Sequence, residues 1–401
     1  MGSSRHGGGR APIRIAVVGV GTIAQAVHLP ALRRLGPAFD LRVVCDASPG
    51  RARDVAAGFG AQVRWVTSAE EAVTADGVEA VLLATPGSHA ALARIALEAG
   101  RHVLAEKPFS LTAAGAADAG ALAARLGLVL QVGYMKMYDP VVEVAARELH
   151  TMERCRLVRV TVCHPADRHQ LAHLLVQPYG DADPSVLEAA EAGEVASTRA
   201  ALGAVPAALA HYYRAVLMGS VVHELALLRA LGIGLPTSFE HVETWPPPGA
   251  PEPPCLLATA AVAPDVRLVL SWNWLPDHPE YGEEVAVLAA GSRLYLDVAP
   301  PYLLEARSRL RVLRAEGPLR SASTILHGHD SGFVRQLRAF ADAVRSGTPA
   351  RADAAGAAAD ARCLQGLLAT LARRQGVAVG GEAAALAAAA AGGGPESRAP
   401  G

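Results

Sequence analysis

This 401-residue sequence has little net charge, few aromatic side chains and few lysines. Lys and Arg total 37 against 38 Asp and Glu, so no basic stripe marks a nucleic-acid surface and no polybasic patch marks a membrane surface. Hydrophobic residues make up 51% of the chain, yet no uninterrupted apolar run is long enough to span a bilayer. We therefore expect neither a nucleic-acid partner nor membrane association.

Cysteine is also sparse, and its spacing does not suit a metal centre. The five cysteines are odd in number and scattered, at Cys45, Cys155, Cys163, Cys255 and Cys363. This pattern favours reduced thiols and predicts no metal site.

The first ten residues are rich in Gly and Ser and lack a hydrophobic signal-peptide core, which predicts a cytoplasmic protein.

The most informative stretch begins with residues 13–18, an apolar run that is typical of a buried strand. Gly19 after it permits a tight turn, and Gly21 leaves room for a pyrophosphate to approach the backbone. The following helix, which begins near the small residue Ala24, would direct its free N–H groups toward that phosphate. Considered alone, this stretch fits a plain strand–turn–helix equally well.

Strand and helix patterns alternate as far as about residue 140. Five more strands are predicted in this part, at 41–45, 63–66, 80–85, 102–105 and 128–134. That order indicates right-handed βαβ units and a parallel sheet. Asp46 stands where a dinucleotide fold places a carboxylate for the ribose hydroxyls. The sequence therefore predicts an α/β Rossmann dinucleotide-binding domain over residues 11–140.

From residue 141 the pattern is that of an α+β domain for substrate binding and oligomerisation, expected to extend to residue 380. Strand-like segments between 256 and 313 predict a large mixed or antiparallel sheet, whose face would form a homodimer or homotetramer interface. Two helices, at 333–345 and 357–374, are expected to close this domain. Residues 1–10 and 381–401 are compositionally biased and are expected to be disordered.

Glu106, Lys107 and Pro108 directly follow the fifth strand, at the carboxyl edge of the sheet where the cofactor crevice lies. Desolvation and the charge of a nicotinamide would lower the pKa of Lys107 and suit it to exchange a proton with a substrate hydroxyl. The alternative is a solvated lysine at the end of a strand. The scarcity of lysine in this chain favours a functional role.

Together these motifs resemble the Gfo/Idh/MocA family of nicotinamide-dependent oxidoreductases, over roughly residues 13–380. The resemblance rests on the glycine loop, on Asp46, on the segments 84–89, 99–108, 132–134 and 139–140, and on the helices around His223 and 333–340. It implies NAD as cofactor, with NADP as the alternative. It assigns cofactor contacts to Gly19, Gly21, Thr22, Ile23, Asp46, Thr85, Pro86, His89, Glu106 and Lys107.

The same resemblance implies that Lys107 faces the substrate hydroxyl and that His223 is the leading proton donor or acceptor, although a lone histidine is more often a core residue. Tyr134, at the end of the sixth strand, is a further catalytic candidate, with edge packing as its alternative. Two positions depart from the family pattern. Gly219 replaces an Asp one helical turn before His223, and Met137 replaces an Arg.

Three residues of the second domain are weaker candidates. His164 ends its first strand and would face the pocket. Trp272 and Trp274 share one face of a strand, which favours core or interface packing over sugar stacking.

The predicted activity is hydride transfer between NAD(P)(H) and a secondary alcohol or ketone carbon of a sugar, a nucleotide-linked sugar or a cyclitol. The alternatives are an NAD-recycling glycosidase of the same family and a non-catalytic cofactor-binding scaffold or sensor.

Overall fold

The structure is a computed structural model that describes residues 11–174, 176–250, 252–326 and 330–392. Two sheets organise these residues, a parallel sheet of six strands from the first part of the chain and a mixed sheet of eight strands from the second. The predicted fold, a Rossmann domain followed by an α+β domain, is confirmed. Within the described residues, no helix has the length and apolar character needed to cross a bilayer.

The parallel sheet has the strand order β3-β2-β1-β4-β5-β6. Its strands are β1 (Ile13–Val18), β2 (Phe39–Cys45), β3 (Arg64–Val66), β4 (Ala80–Leu83), β5 (His102–Ala105) and β6 (Leu130–Val132). The helices between them are α1 (Leu29–Arg34), α2 (Pro49–Phe59), α3 (Ala69–Thr74), α4 (Ala90–Glu98) and α5 (Ala113–Leu126). The strand order reverses between β1 and β4, and ligands of such sheets bind outside the carboxyl ends of the strands at that point.

The mixed sheet has the order β14-β13-β12-β11-β7-β10-β9-β8. Its strands are β7 (Cys155–His164), β8 (Phe239–Trp245), β9 (Cys255–Ala263), β10 (Val266–Trp274), β11 (Gly282–Ala289), β12 (Ser292–Asp297), β13 (Arg309–Glu316) and β14 (Leu319–Leu326). Only β7 and β10 run parallel, and the other neighbouring strands are antiparallel. The helices before β8 are α6 (Pro140–His150), α7 (Asp167–Leu171), α8 (Pro184–Leu202), α9 (Ala207–Tyr212) and α10 (Val222–Ala230).

The two helices expected to close the second domain also pack against the first. The apolar side of α11 (Gly332–Ser346) shares one core with β1, β2 and β4, and α12 (Ala354–Arg374) packs along α5. An amphipathic pattern shows that one side of a helix is buried, but not which surface buries it. The division of the chain at residue 140 therefore stays a prediction.

The expectation of disorder from residue 381 onward is wrong for its first part, which forms α13 (Gly381–Gly392). The Glu382 carboxylate accepts hydrogen bonds from the backbone nitrogens of Ala113 and Ala114, at 2.7 and 2.9 Å, and so caps α5. Ala383 is fully buried, because an alanine surface lets helices approach closely. Residues 1–10 and 393–401 lie outside the described residues.

Candidate active site

The glycine loop after β1 meets the requirements of a phosphate-binding turn. Gly19 has φ +83°, and a Cβ there would lie 2.5 Å from the backbone nitrogen of Thr85 in the loop after β4. Glycine is therefore required at this position. A Cβ on Gly21 would have no neighbour within 4 Å, so the space above this residue is open. Thr22 and Ile23 follow and lead into a π-helical stretch, Ala24–His28, that continues as α1.

Asp46 lies at the end of β2, as predicted, and its carboxylate joins two loops of the crevice. It accepts hydrogen bonds from the backbone nitrogens of Val20 at 3.0 Å and Ser48 at 2.9 Å. The guanidinium of Arg51 is 3.2 Å from the same carboxylate. These contacts fix the orientation of Asp46 at the end of the crevice where Rossmann folds place the adenosine ribose.

The loop after β4 is held by the buried ring of His89. Its Nδ1 lies 3.0 Å from the carbonyl oxygen of Pro108, and its Nε2 lies 3.0 Å from that of Thr85, next to Pro86. Burial lowers the pKa of His89, and a neutral imidazole can donate only one of these two hydrogen bonds. The ring ties the loops after β4 and β5 together, so any contact with a cofactor would come from the loop that His89 supports.

Glu106 is paired with a histidine that the sequence did not reveal. Its Oε1 is 2.8 Å from Nε2 of His28, which is fully buried, and its Oε2 accepts from the backbone nitrogen of Lys107 at 3.1 Å. Burial by itself would raise the pKa of Glu106, but the bond to His28 and the Lys107 charge outweigh it and lower the pKa. His28 lies in the π-helical stretch, and nothing in its sequence context distinguishes it from a core residue.

Lys107 faces the second domain. Its Nζ donates a hydrogen bond to the carbonyl oxygen of Gly219 at 2.5 Å. Burial lowers the pKa of Lys107; the carboxylate of Glu106 opposes this effect and the cation of Lys136 reinforces it. A lysine with a lowered pKa gives up its proton more readily than an exposed lysine, which suits it to general acid–base chemistry.

His223 lies at the start of α10, just after a second π-helical stretch, Tyr213–Val221, that contains Gly219. Its Nδ1 is buried and has no hydrogen-bond partner among the described residues. Burial, followed by the charges of Lys107 and Lys136, holds the pKa of His223 well below its usual value. The imidazole is therefore neutral at neutral pH and has one unused nitrogen, which suits a substrate hydroxyl.

A buried ion cluster behind these residues was missed in the sequence. Nζ of Lys136 lies 3.1 Å from Oε1 of Glu224 and 2.5 Å from Oε2 of Glu283, and all three side chains are buried. The hydroxyl of Tyr281 donates to Glu283 at 2.6 Å. Burial alone would lower the pKa of Lys136, but the two carboxylates raise it. Burial raises the pKa of Glu224 to about 7, although Lys136 opposes this shift.

One sequence signal could have found this cluster. Lys107 and Lys136 are the two lysines of the chain, and both lie at the site. The adjacent Met137, singled out as a departure from the family pattern, is buried in the core. The side chain of Glu224 faces Lys136, so it does not replace the carboxylate missing at Gly219.

Aromatic side chains of the mixed sheet surround this cluster. The ring of His164 stacks on Trp274 at 5.4 Å and lies 5.7 Å from Trp272 and 5.8 Å from Tyr281, measured between ring centroids. Nε1 of Trp272 donates to Oγ of Ser220 at 2.9 Å, which links the sheet to the π-helical stretch before His223. Burial lowers the pKa of His164, and the nearby lysines add to this effect.

Tyr134 has a different environment from the other catalytic candidates. It is 1% exposed, its hydroxyl bonds to the Asp360 carboxylate, and the Arg229 guanidinium lies 5.5 Å from its ring centroid. Burial raises the pKa of Tyr134 well above its usual value. This placement favours the packing alternative over a part in proton transfer.

The strand order, the glycine loop and the open space above Gly21 define a dinucleotide-binding protein of the Rossmann type. Residues 13–134 match the family model described as "Oxidoreductase family, NAD-binding Rossmann fold". Over these residues the resemblance to the Gfo/Idh/MocA oxidoreductase family is confirmed.

Named relatives match about a third of the chain. Inositol 2-dehydrogenase 1 of Saccharopolyspora erythraea is 39% identical over 132 residues, which cover 32% of this chain and 38% of the relative. The NAD(+)-dependent scyllo-inositol 2-dehydrogenase of Bacillus subtilis is 31% identical over 142 residues, 35% of this chain and 41% of the relative. The matched stretch thus spans less than half the length of these curated relatives.

Solved structures extend the likeness of fold to both domains. KijD10, a 3-ketoreductase from Actinomadura kijaniata in complex with TDP-benzene and NADP, has a TM-score of 0.63 at 20% identity, covering 88% of this chain and 96% of that one. The oxidoreductase yvaA from Bacillus subtilis has a TM-score of 0.66 at 14% identity, covering 90% and 96%. At these identities the likeness is one of fold.

Proposed function

We propose that the protein is an oxidoreductase that transfers hydride between NAD(H) or NADP(H) and a secondary alcohol or ketone carbon. The observation that carries this proposal is the contact between Lys107, at the edge of the dinucleotide-binding sheet, and the helical segment of the second domain that leads to His223. A substrate bound between the two parts of the chain would meet one proton-transfer group from each.

The residues present fit a nicotinamide dinucleotide. Gly21 leaves the space that a pyrophosphate needs, Gly19 gives the turn, and Asp46 stands at the ribose end. When bound, the nicotinamide would supply or accept the hydride. The chain itself would orient the two reactants, exclude water and handle the proton.

Proton transfer is assigned to Lys107 and His223. In the oxidation of an alcohol, the hydroxyl proton would pass to the neutral amine of Lys107 or to the neutral imidazole of His223 while hydride leaves the carbon. In the reduction of a ketone, the protonated Lys107 would return a proton to the oxygen. Burial lowers the pKa of Lys107, which makes its ammonium group a better proton donor than an exposed lysine and supports this role.

The substrate is proposed to be a cyclitol, a sugar or a nucleotide-linked sugar. Support comes from the relatives named as inositol 2-dehydrogenases and from the fold of a ketoreductase solved with TDP-benzene.

We also propose a cytoplasmic homodimer or homotetramer formed through the mixed sheet. Leu319 and Leu326, both well exposed on its edge strand β14, support a contact surface there, which the mass of the protein in solution would test.

The test is turnover of a panel of cyclitols, hexoses and nucleotide-linked sugars with NAD⁺ and NADP⁺, followed by nicotinamide absorbance. Substrate-dependent reduction that is lost in Lys107→Ala is expected. Binding of NAD(H) without turnover of any compound would favour the scaffold alternative. Release of free sugar from a glycoside without net nicotinamide reduction would favour the NAD-recycling glycosidase.

A further inference from the structure

A segment between α7 and α8 lies against the adenosine end of the dinucleotide-binding sheet. The carboxylate of Asp181 accepts hydrogen bonds from Oγ of Ser48 and, at 2.8 Å, from the backbone nitrogen of Gly50. Ser48 caps α2 and Gly50 is in its first turn, so this carboxylate lies at the positive end of the helix.

A second contact and a glycine hold Asp181 in place. The hydroxyl of Tyr179 donates to the carboxylate of Asp54 at 3.0 Å, and the Arg51 guanidinium lies 5.3 Å from the centroid of the Tyr179 ring. A Cβ on Gly50 would be 2.7 Å from Oδ2 of Asp181 and 3.2 Å from Cδ1 of Tyr179. Because Gly50 has no side chain, both Asp181 and Tyr179 can approach the first turn of α2.

Helix α8, which follows this segment, is anchored on the other side of the glycine loop. Oε1 of Glu194, in α8, accepts from the backbone nitrogen of Ser88 at 2.7 Å, and a Cβ on Gly87 would lie 2.6 Å from Cδ of Glu194. Strands β2 and β4 flank β1, so the segment from Tyr179 to Glu194 connects the loops on both sides of the dinucleotide crevice. The stretch that carries Asp181 is thus anchored at both of its ends.

We propose that Asp181 makes this protein select NAD over NADP by holding a carboxylate where the 2′-phosphate of NADP would bind. In Rossmann folds that phosphate lies near the end of β2 and is held by a nearby arginine. Here the donors suited to it are Ser48, Gly50 and Arg51. Asp181 already accepts hydrogen bonds from the first two, and the guanidinium of Arg51 is paired with Asp46 at 3.2 Å. Two anions at the same donors repel each other, whereas the uncharged 2′-hydroxyl of NAD carries no such penalty. This inference rests on the proposed nicotinamide-dependent function.

The experiment measures the dissociation constants of NADH and NADPH by fluorescence titration of the full chain. The variants are Asp181→Asn, which removes only the charge, and Asp181→Ala, which also removes the hydrogen bonds. The matched control is Asp183→Asn. Asp183 is exposed and caps α8 through the backbone nitrogen of Ser185 at 2.9 Å, and Asn is an equally good cap.

We expect the unmodified protein to bind NADH more tightly than NADPH. Both Asp181 variants should bind NADPH about 10- to 100-fold more tightly than the unmodified protein does, with NADH affinity changed by less than about threefold, and the gain should shrink at high salt. Asp183→Asn should leave both constants unchanged.

Two results would overturn the inference while leaving the proposed function intact. One is NADPH affinity that stays the same in both Asp181 variants while NADH binds normally. The other is a preference of the unmodified protein for NADPH, which would show that the segment moves away from α2 when cofactor binds. If neither dinucleotide binds to any of these proteins, the proposed function itself is wrong and the inference falls with it.

Discussion

The ammonium group of Lys107 donates a hydrogen bond to the carbonyl oxygen of Gly219 at 2.5 Å, and this contact joins the end of β5 to the helical segment before His223. Gly219 stands one turn before His223, at the position where the family resemblance leads us to expect an aspartate. A main-chain carbonyl therefore meets the lysine where a carboxylate is expected. The two groups proposed to move protons thus lie close together although they are distant in sequence.

Removing either proton-transfer group should slow the reaction without weakening cofactor binding. Lys107→Ala and His223→Ala are each expected to lower kcat/KM by roughly 10²–10⁴, since general acid–base groups contribute about that much. The loss of transition-state stabilisation in the double variant should be smaller than the sum of the two single losses, because the two groups act on one proton. Steady-state kinetics and NADH titration measure both effects. His211→Ala, at an exposed histidine of α9, is the control, and near-native turnover of His223→Ala would leave Lys107 as the sole proton carrier.

Restoring the missing carboxylate should move the pH dependence. In Gly219→Asp, a negative charge near Lys107 and His223 would stabilise their protonated forms and raise both pKa values. The pH–rate profile should therefore shift to higher pH. A Cβ at Gly219 would lie 3.2 Å from the carbonyl oxygen of Arg214, so Gly219→Ala is the control for this tight contact. A profile that is unchanged, or that shifts to lower pH, would contradict the assignment of these two groups.

The two glycines of the phosphate loop should respond to substitution in opposite ways. Gly21→Val should abolish NADH binding and leave the free energy of unfolding unchanged, because no atom lies within 4 Å of a Cβ there. Gly19→Ala should instead destabilise the fold by about 2 kcal/mol or more, because its φ is +83° and its Cβ would meet the backbone of Thr85. Calorimetric titration and urea unfolding separate the two results. Normal NADH affinity in folded Gly21→Val would show that this loop does not bind the dinucleotide.

The buried lysine should matter more for stability than any surface cation. Lys136→Met would leave the carboxylates of Glu224 and Glu283 without their partner and should cost about 3–5 kcal/mol. The matched control is Arg159→Ala, which breaks an exposed pair with Glu284 and should cost at most about 1 kcal/mol. Urea unfolding compares the two variants, and equal losses would show that the cluster is no more strongly coupled than a surface pair.

Buried neutral histidines should make the protein sensitive to mild acid. Burial lowers the pKa of both His89 and His223 below the ordinary value of 6.5. Below pH 6.5 these histidines bind protons in the unfolded chain but not in the folded protein. Their contribution to the free energy of unfolding is therefore fully present above that pH and is lost as the pH decreases. Each group contributes at most about 1.4 kcal/mol per pH unit. Urea unfolding at several pH values should show a smaller acid slope for His223→Gln than for the unmodified protein, and an identical slope would show that His223 takes up a proton in the fold.

The sequence by itself determined the alternation of strands and helices in the first domain and its parallel sheet, the turn at Gly19, the open position at Gly21, and the positions of Asp46 and Lys107 just beyond their strands. Each of these follows from local information, namely apolar runs, glycines at fixed offsets, and residues directly after a strand. Most of the mixed sheet was predictable for the same reason, since its strands carry their own periodicity, but its two edge strands, β8 and β14, were not predicted.

Only the tertiary structure decided what those segments meet. Lys136 and Glu283 are 147 positions apart, and Asp181 and Gly50 are 131 apart, so no local pattern could pair them. The packing of α11 against the first sheet and of α13 against α8 and α12 arose in the same way. A pattern of side chains indicates that a surface must be buried or a charge neutralised. It does not identify the partner, because burial and pairing energies depend on proximity in space rather than in sequence.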